Sequence, residues 1–268
     1  KESFISMKKI YNYLNKYEPE IETGKLKLER INDIKFDNVY FSYNNDRQIL
    51  SNISINVNNN DKIAIVGRTG CGKTTLVNLL CRFYDVSKGS IFINGENINN
   101  YTLESLRENI GYVMQDVVIF DGNIYDNINY ANKDVQKEQI ETICKKLRLH
   151  DKIISFSEGY ELNLNKNQDL FSLGEKQMIN FARIMVENPS VVILDEITSS
   201  LSYENEELVK NAIKEITKDK ICFIIAHRLT TIKSCNKILY MENGKILENG
   251  SHQELMDIKG KYYNLVKN

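Results

Sequence analysis

No apolar run in the 268 residues approaches the roughly 20 needed to span a bilayer. Runs such as Val191 to Leu194 and Cys222 to Ala226 have only strand length. Cysteine is sparse: five residues, scattered, odd in number and without a Cys-x-x-Cys pair. That argues against a disulfide framework and a thiolate zinc site, and leaves reduced thiols as the expectation. Excess charge is missing too. A formal net of -1 gives no electrostatic case for nucleic acid. Repeats and low-complexity blocks are absent, although Asn and Lys are heavily used.

What is present is ordinary globular usage, with 42% hydrophobic and 26% charged residues. The length suits one large domain or two modest ones and can bury a sizeable core. Lys1 to Tyr17 read as a mostly polar helix, unlike the apolar stretch of a signal peptide. The chain opens without methionine, and the expectation is a piece of a longer protein. Pro19 disfavours helix just before it, and Ile21 to Glu29 read as a linker.

From Ile34 onward the pattern turns to strands. Ile34-Lys35-Phe36, Val39-Tyr40-Phe41 and Ile53 to Val57 alternate in polarity, which suggests a small antiparallel sheet. Lys62 to Val66 is a short apolar run, as a buried strand should be. Thr74 to Tyr84 puts Leu76, Leu79, Leu80 and Phe83 on one helical face. Ser90 to Asn94 reads as a strand closed by an Asn94-Gly95 turn. Residues 116 to 188 read as mostly helical with loops. Val191 to Asp195, Cys222 to Ala226 and Lys237 to Met241 are strands, and Tyr203 to Ile216 is a helix between the first two. Asn243-Gly244 closes a hairpin. Ser251 and Glu254 form a capping-box pattern opening the last helix. Apolar strands alternating with helices mean a parallel sheet with helices on both faces.

Gly67-Arg68-Thr69-Gly70-Cys71-Gly72-Lys73-Thr74 matches G-x-x-x-x-G-K-[ST] at every fixed position. With glycine at about 7% of residues, a chance match in such a chain is on the order of one in a hundred. The motif also sits between an expected strand and an expected helix, which is its required setting. The glycines let backbone N–H groups turn inward around phosphate oxygens. The following helix adds its N-terminal dipole. Lys73 supplies a positive charge to the β- and γ-phosphates, and the Thr74 hydroxyl can ligate Mg²⁺.

A second motif ends the strand Val191 to Asp195. Period-2 geometry lets Asp195 serve the Mg²⁺ shell while Glu196 faces an attacking water. The carboxyl end of a central strand is where open α/β sheets bind ligands. His227 follows the strand Cys222 to Ala226, expected beside it, and is assigned to the γ-phosphate.

On these motifs residues 31 to 268 resemble the nucleotide-binding domain of ABC transporters, of the exporter type. Ser105-Leu106-Arg107, Ile110-Gly111 and Phe120-Asp121-Gly122-Asn123-Ile124 resemble exporters more than importers. The resemblance implies an α/β fold: a P-loop NTPase (RecA-like) core with a small antiparallel β subdomain and a helical subdomain at about 116–188. It implies that 1–30 is a linker or helix from a transmembrane domain. It implies ATP bound by Arg68, Thr69, Gly70, Cys71, Thr75 and the other residues of the loop, with adenine stacked on Tyr43. Gln115 would reach Mg²⁺ and the water and sense the transmembrane domain. Glu196, His227, Lys73 and Gln115 would be catalytic; Thr74, Gln115 and Asp195 would hold the metal. Ser172 and Gly174 would bind, in trans, the γ-phosphate held by a second nucleotide-binding domain. The setting implied is the cytoplasmic face of the cell membrane, in a half-transporter, with hydrolysis driving export.

Departures from the family pattern cluster. In Phe171-Ser172-Leu173-Gly174-Glu175, where the family signature is L-S-G-G-Q, Phe171, Leu173 and Glu175 differ. Glu175 puts negative charge near a phosphate site, which is unfavourable unless the helix dipole offsets it. Ser202 stands where aspartate is usual; Asn165, Lys166 and Gln168 replace the usual G-E-x-G positions. Residues used in cis are intact, whereas those offered to a partner are degraded. A heterodimer with one competent and one impaired site is the reading; a homodimer with a loose signature is the rival. Two other classes remain: a soluble ATPase of chromosomes or translation, although no sustained heptads occur, and a regulatory module without turnover.

Overall fold

The computed structural model describes residues 24–43, 47–114, 116–130, 135–195, 203–226 and 228–267. The expected helix of Lys1 to Tyr17 and the Ser199 to Ser202 loop lie outside them, as do Gln115, Glu196 and His227. Strands β1 (Asp33–Phe41) and β2 (Leu50–Asn58) lead to β3 (Lys62–Val66), which runs into the glycine loop and helix α1 (Lys73–Leu80). Next come β4 (Lys88–Ile93), β5 (Glu96–Asn97), α2 (Leu103–Glu108) and β6 (Ile110–Val113). Four helices follow: α3 (Ile124–Ile128), α4 (Lys137–Lys146), α5 (His150–Ile154) and α6 (Leu173–Glu187). The chain then alternates β7 (Val191–Asp195), α7 (Tyr203–Ile216), β8 (Ile221–Ile225), α8 (Leu229–Lys233) and β9 (Lys237–Glu242). It ends with β10 (Lys245–Gly250), α9 (His252–Ile258) and α10 (Lys261–Lys267). The Ser251–Glu254 capping box is present and opens α9, so the helix it starts is not the last one.

A six-stranded sheet has the order β10-β9-β3-β8-β7-β6; its pairs are parallel except β9 with β10. Every residue of β8 is buried, and all but one in β3 and in β7. Such runs belong to parallel strands covered on both faces. Ala64, Val192, Leu194, Cys222 and Ile224 enter one core with the residues of α6 and α7. Their strand neighbours Ile63, Ile65, Ile193 and Phe223 enter the other, with α1 and the second sheet. That sheet is antiparallel, order β2-β1-β4-β5. β1 and β2 alternate because only one of their faces is buried.

Helix α1 is shorter than its periodicity suggests. It stops at Leu80, and Arg82 takes a left-handed φ of 51°. The buried Arg82 guanidinium donates to the Tyr101 carbonyl at 3.2 Å and lies 3.6 Å from the Asp85 carboxylate. The turn throws Phe83 outward, so it is exposed and does not share the core face of Leu76, Leu79 and Leu80.

Between β6 and α6 a buried guanidinium stitches the chain together. Arg183 of α6 donates to the Asn127 carbonyl and to the Val118 carbonyl, each at 2.7 Å, and to Asn127 Oδ1 at 2.9 Å. It also lies over the Phe120 ring, 4.8 Å from its centroid. Asn127, fully buried, returns hydrogen bonds to Phe120 and Asn123.

Candidate active site at the phosphate loop

The loop between β3 and α1 turns on three glycines with left-handed φ, Gly67, Gly70 and Gly72. Gly67 is obligatory on space as well as φ. A Cβ there would lie 2.1 Å from the Met241 carbonyl oxygen of β9. Gly72 stands at the N-cap of α1 and has no side chain with which to take the first backbone N–H groups of the helix. Lys73 is buried to 6% exposure, and its Nζ donates to the carbonyls of Gly67 at 2.9 Å and Arg68 at 3.2 Å. The ammonium is thereby folded over the loop it would serve. Cys71 is buried beneath it, and burial raises its thiol pKa, an effect Lys73 partly opposes.

The sheet register brings Asp195 to this loop. β7 and β8 pair in parallel with Asp195 opposite Ile225, and β8 pairs with β3, from which the loop departs. Thr74 Oγ1 donates to Asp195 Oδ2 at 3.5 Å. Tyr112, on the neighbouring β6, donates to the same oxygen at 3.1 Å. Burial first, and the Asp195 carboxylate second, hold the Tyr112 hydroxyl well above the usual phenol range. A hydroxyl and a carboxylate are hard oxygen donors. They fit Mg²⁺, which is held through one or two carboxylates and completes its shell with phosphate oxygens and water. Among the described residues no cluster of three or more His, Cys, Asp or Glu could hold a metal unaided.

On the rim, Tyr43 is 47% exposed, and its hydroxyl lies 3.1 Å from Thr75 Oγ1 of α1. Its ring meets Phe41 and Tyr84 edge to face. At the far motif Ser172 is the N-cap of α6. Its Oγ accepts from the Glu175 N–H at 3.2 Å, and Glu175 Oε2 accepts from the Ser172 N–H at 2.7 Å. The Glu175 carboxylate therefore sits at a helix N-terminus, where the dipole favours it. Phe171 is buried, Leu173 is exposed and Gly174 is buried.

Tyr112 and Tyr84 escaped the sequence reading. Tyr112 is flagged only by the register that aligns β6 with β7, which no local pattern encodes. Tyr84 was hidden inside an apparent helix.

The family model for ABC transporters matches residues 50–199, more than half of the chain. The chain belongs to the ABC transporter family. Within it, this is an ATP-binding, ATP-hydrolysing domain of the exporter kind. It is 39% identical over 267 residues to the putative multidrug export ATP-binding/permease protein YgaD of Bacillus subtilis, covering 98% of this chain and 46% of that one. It is likewise 39% identical over 249 residues to an ATP-dependent lipid A-core flippase of Idiomarina loihiensis, covering 92% and 43%. A solved structure of a bacterial Atm1-family ABC exporter with ATP bound superposes with a TM-score of 0.86 at 32% identity, over 99% of this chain and 47% of that one. The chain thus spans less than half the length of these relatives. Among the described residues no helix is long and apolar enough to cross a membrane.

Proposed function

We propose that this domain, working as one half of a nucleotide-sandwich dimer, couples ATP hydrolysis to export of a substrate through a transmembrane partner at the cytoplasmic face of a membrane. The observation that carries the reading is the convergence of Lys73, Thr74 and Asp195 at the carboxyl ends of β3 and β7. In the proposed cycle the loop amides and Lys73 bind the β- and γ-phosphates. Thr74, Asp195 and Gln115 hold Mg²⁺, which when bound neutralises charge on the phosphate oxygens. Glu196 orients and deprotonates the water; such a base contributes ~10² to 10⁴ in rate. His227 steadies the γ-phosphate. Ser172 and Gly174 serve the nucleotide of the other subunit.

Unequal sites fit the Glu175 cap. The Ser172 N–H is already taken, and by a carboxylate that a phosphate approaching the same helix end would meet. The transmembrane partner would rest on the groove of about 750 Å³ lined by Phe120, Tyr125, Tyr130 and Ile140. The relatives range from a putative multidrug exporter to a lipid A-core flippase, so the cargo is left to the membrane part.

The test is the solution mass of the Glu196→Gln domain, with and without MgATP, alone and mixed with candidate partner domains. Dimerisation only with a different partner supports unequal sites. An ATP-dependent homodimer supports the sandwich and removes the heterodimer. No nucleotide binding at all would overturn the reading.

A further inference from the structure

The rim of the phosphate loop carries more aromatic surface than one base-stacking ring requires. Tyr43 and Tyr84 are 47% and 46% exposed, which is unusual for two large rings in mutual contact. Their centroids lie 4.9 Å apart at an interplanar angle of 85°. Phe41, buried, meets Tyr43 at 4.8 Å and 85°, and meets Tyr84 at 5.7 Å. The last distance is far short of the sum of the first two. Phe41 and Tyr84 therefore flank Tyr43 from neighbouring directions rather than from opposite ones, while close to half of Tyr43 stays exposed.

Edge-to-face contacts fix ring orientation, because the positive edge of one ring seeks the negative face of another. Tyr43 is held at its far end as well, through its hydroxyl on Thr75. Of the two described ring contacts that brace Tyr43, removing Tyr84 would leave the one with Phe41. Tyr84 owes its place to the left-handed turn at Arg82, which ends α1 and carries the chain back toward the rim.

We propose that Tyr84 is a positioning residue for nucleotide binding: it braces Tyr43 from the side away from the base, so that the open face is presented ready to stack. The inference rests on Tyr43 being the base platform. Tyr84 itself touches Tyr43 and Phe41 and is given no contact with the base. A pre-oriented ring loses less freedom on binding, so the effect falls on affinity rather than on the chemical step.

The experiment measures binding of ATP and of inorganic tripolyphosphate to this chain, with KM and kcat for ATP, in Tyr84→Ala, Tyr84→Leu, Tyr84→Phe and Tyr43→Ala. Aromatic pairing of this kind corresponds to roughly two- to ten-fold in an equilibrium constant. The expected result is a loss of about five-fold in ATP affinity and a matching rise in KM for Tyr84→Ala and Tyr84→Leu. Their kcat and tripolyphosphate affinity stay at the parent values, and Tyr84→Phe restores ATP affinity. Tyr84→Leu keeps bulk at the site should the alanine variant fold poorly. If Tyr43→Ala weakens ATP but Tyr84→Leu does not, Tyr84 is no brace and the proposal falls. If Tyr43→Ala itself leaves ATP affinity unchanged, the base platform was misassigned and the proposal falls with it. Equal losses for ATP and tripolyphosphate would place the effect in the loop, and also overturn it.

Discussion

The Tyr112 hydroxyl donates to Oδ2 of Asp195 at 3.1 Å, so the carboxylate ending β7 is aimed by the strand beside it. Tyr112→Phe keeps the ring and removes that bond. A hydrogen bond to a charged group is worth about 1.5–3 kcal/mol net, less at a half-buried site. Affinity for Mn²⁺ in the presence of ATP, read by electron paramagnetic resonance, should fall several-fold, while metal-free nucleotide affinity stays constant. Because burial and Asp195 both raise the Tyr112 pKa, the phenol remains a donor at ordinary assay pH. An unaltered Mn²⁺ affinity would mean that Asp195 needs no such guide.

Two glycines of the phosphate loop separate strain from space. Gly70 faces nothing within 4 Å, so Gly70→Ala meets only the left-handed backbone cost of about 1–2 kcal/mol. Gly67→Ala must in addition push its Cβ away from the Met241 carbonyl, 2.1 Å off. Thermal unfolding should show the Gly67 variant well below the Gly70 variant. Equal melting temperatures would show that the loop can yield against β9.

Cys71 gives the site a pH signature. The thiolate is the reactive form, and burial raises the pKa that controls it. At neutral pH the thiolate fraction is therefore below that of an ordinary thiol. Alkylation, followed by mass spectrometry, should be slow near pH 7 and accelerate only above the usual thiol range. Bound ATP should suppress it further. Fast, pH-independent labelling of Cys71 would contradict its burial.

The Ser172–Glu175 cap separates fold from charge. Ser172→Ala removes an N-cap and should cost about 0.5–2 kcal/mol of stability. Glu175→Gln keeps the reciprocal geometry and loses the charge, with a dipole effect of only about 0.3–1 kcal/mol. In the Glu196→Gln background, Glu175→Gln should lower the ATP concentration needed for half-maximal dimerisation. If that concentration does not move, the Glu175 carboxylate stands too far from the partner's phosphate to matter.

Much of this was legible in the residue order. The buried runs at Lys62 to Val66 and Val191 to Asp195 announce covered parallel strands, and the glycine spacing announces the loop between β3 and α1. Glu175 is partly legible: Ser-x-x-Glu spells a capping box, yet only the observed bond at 2.7 Å shows the carboxylate seated on the helix end. Tertiary choices were not legible. A helical period through Phe83 cannot reveal that Arg82 turns left-handed, because the cause is a buried guanidinium reaching Tyr101, a residue remote in sequence. For the same reason Tyr112 joins Asp195 through sheet register alone. The assignments of Gln115, Glu196 and His227 still stand on sequence.

The Arg183 stitch has a mechanical corollary. The Phe120–Tyr130 stack, whose rings lie 4.1 Å apart and nearly parallel, is tied to α6 through that arginine. The guanidinium clamps Phe120, Val118 and Asn127 to that helix at once. Ser172 and Gly174 ride on the same helix. A load on Phe120 would therefore reach the helix that carries Ser172 and Gly174 by way of a single arginine.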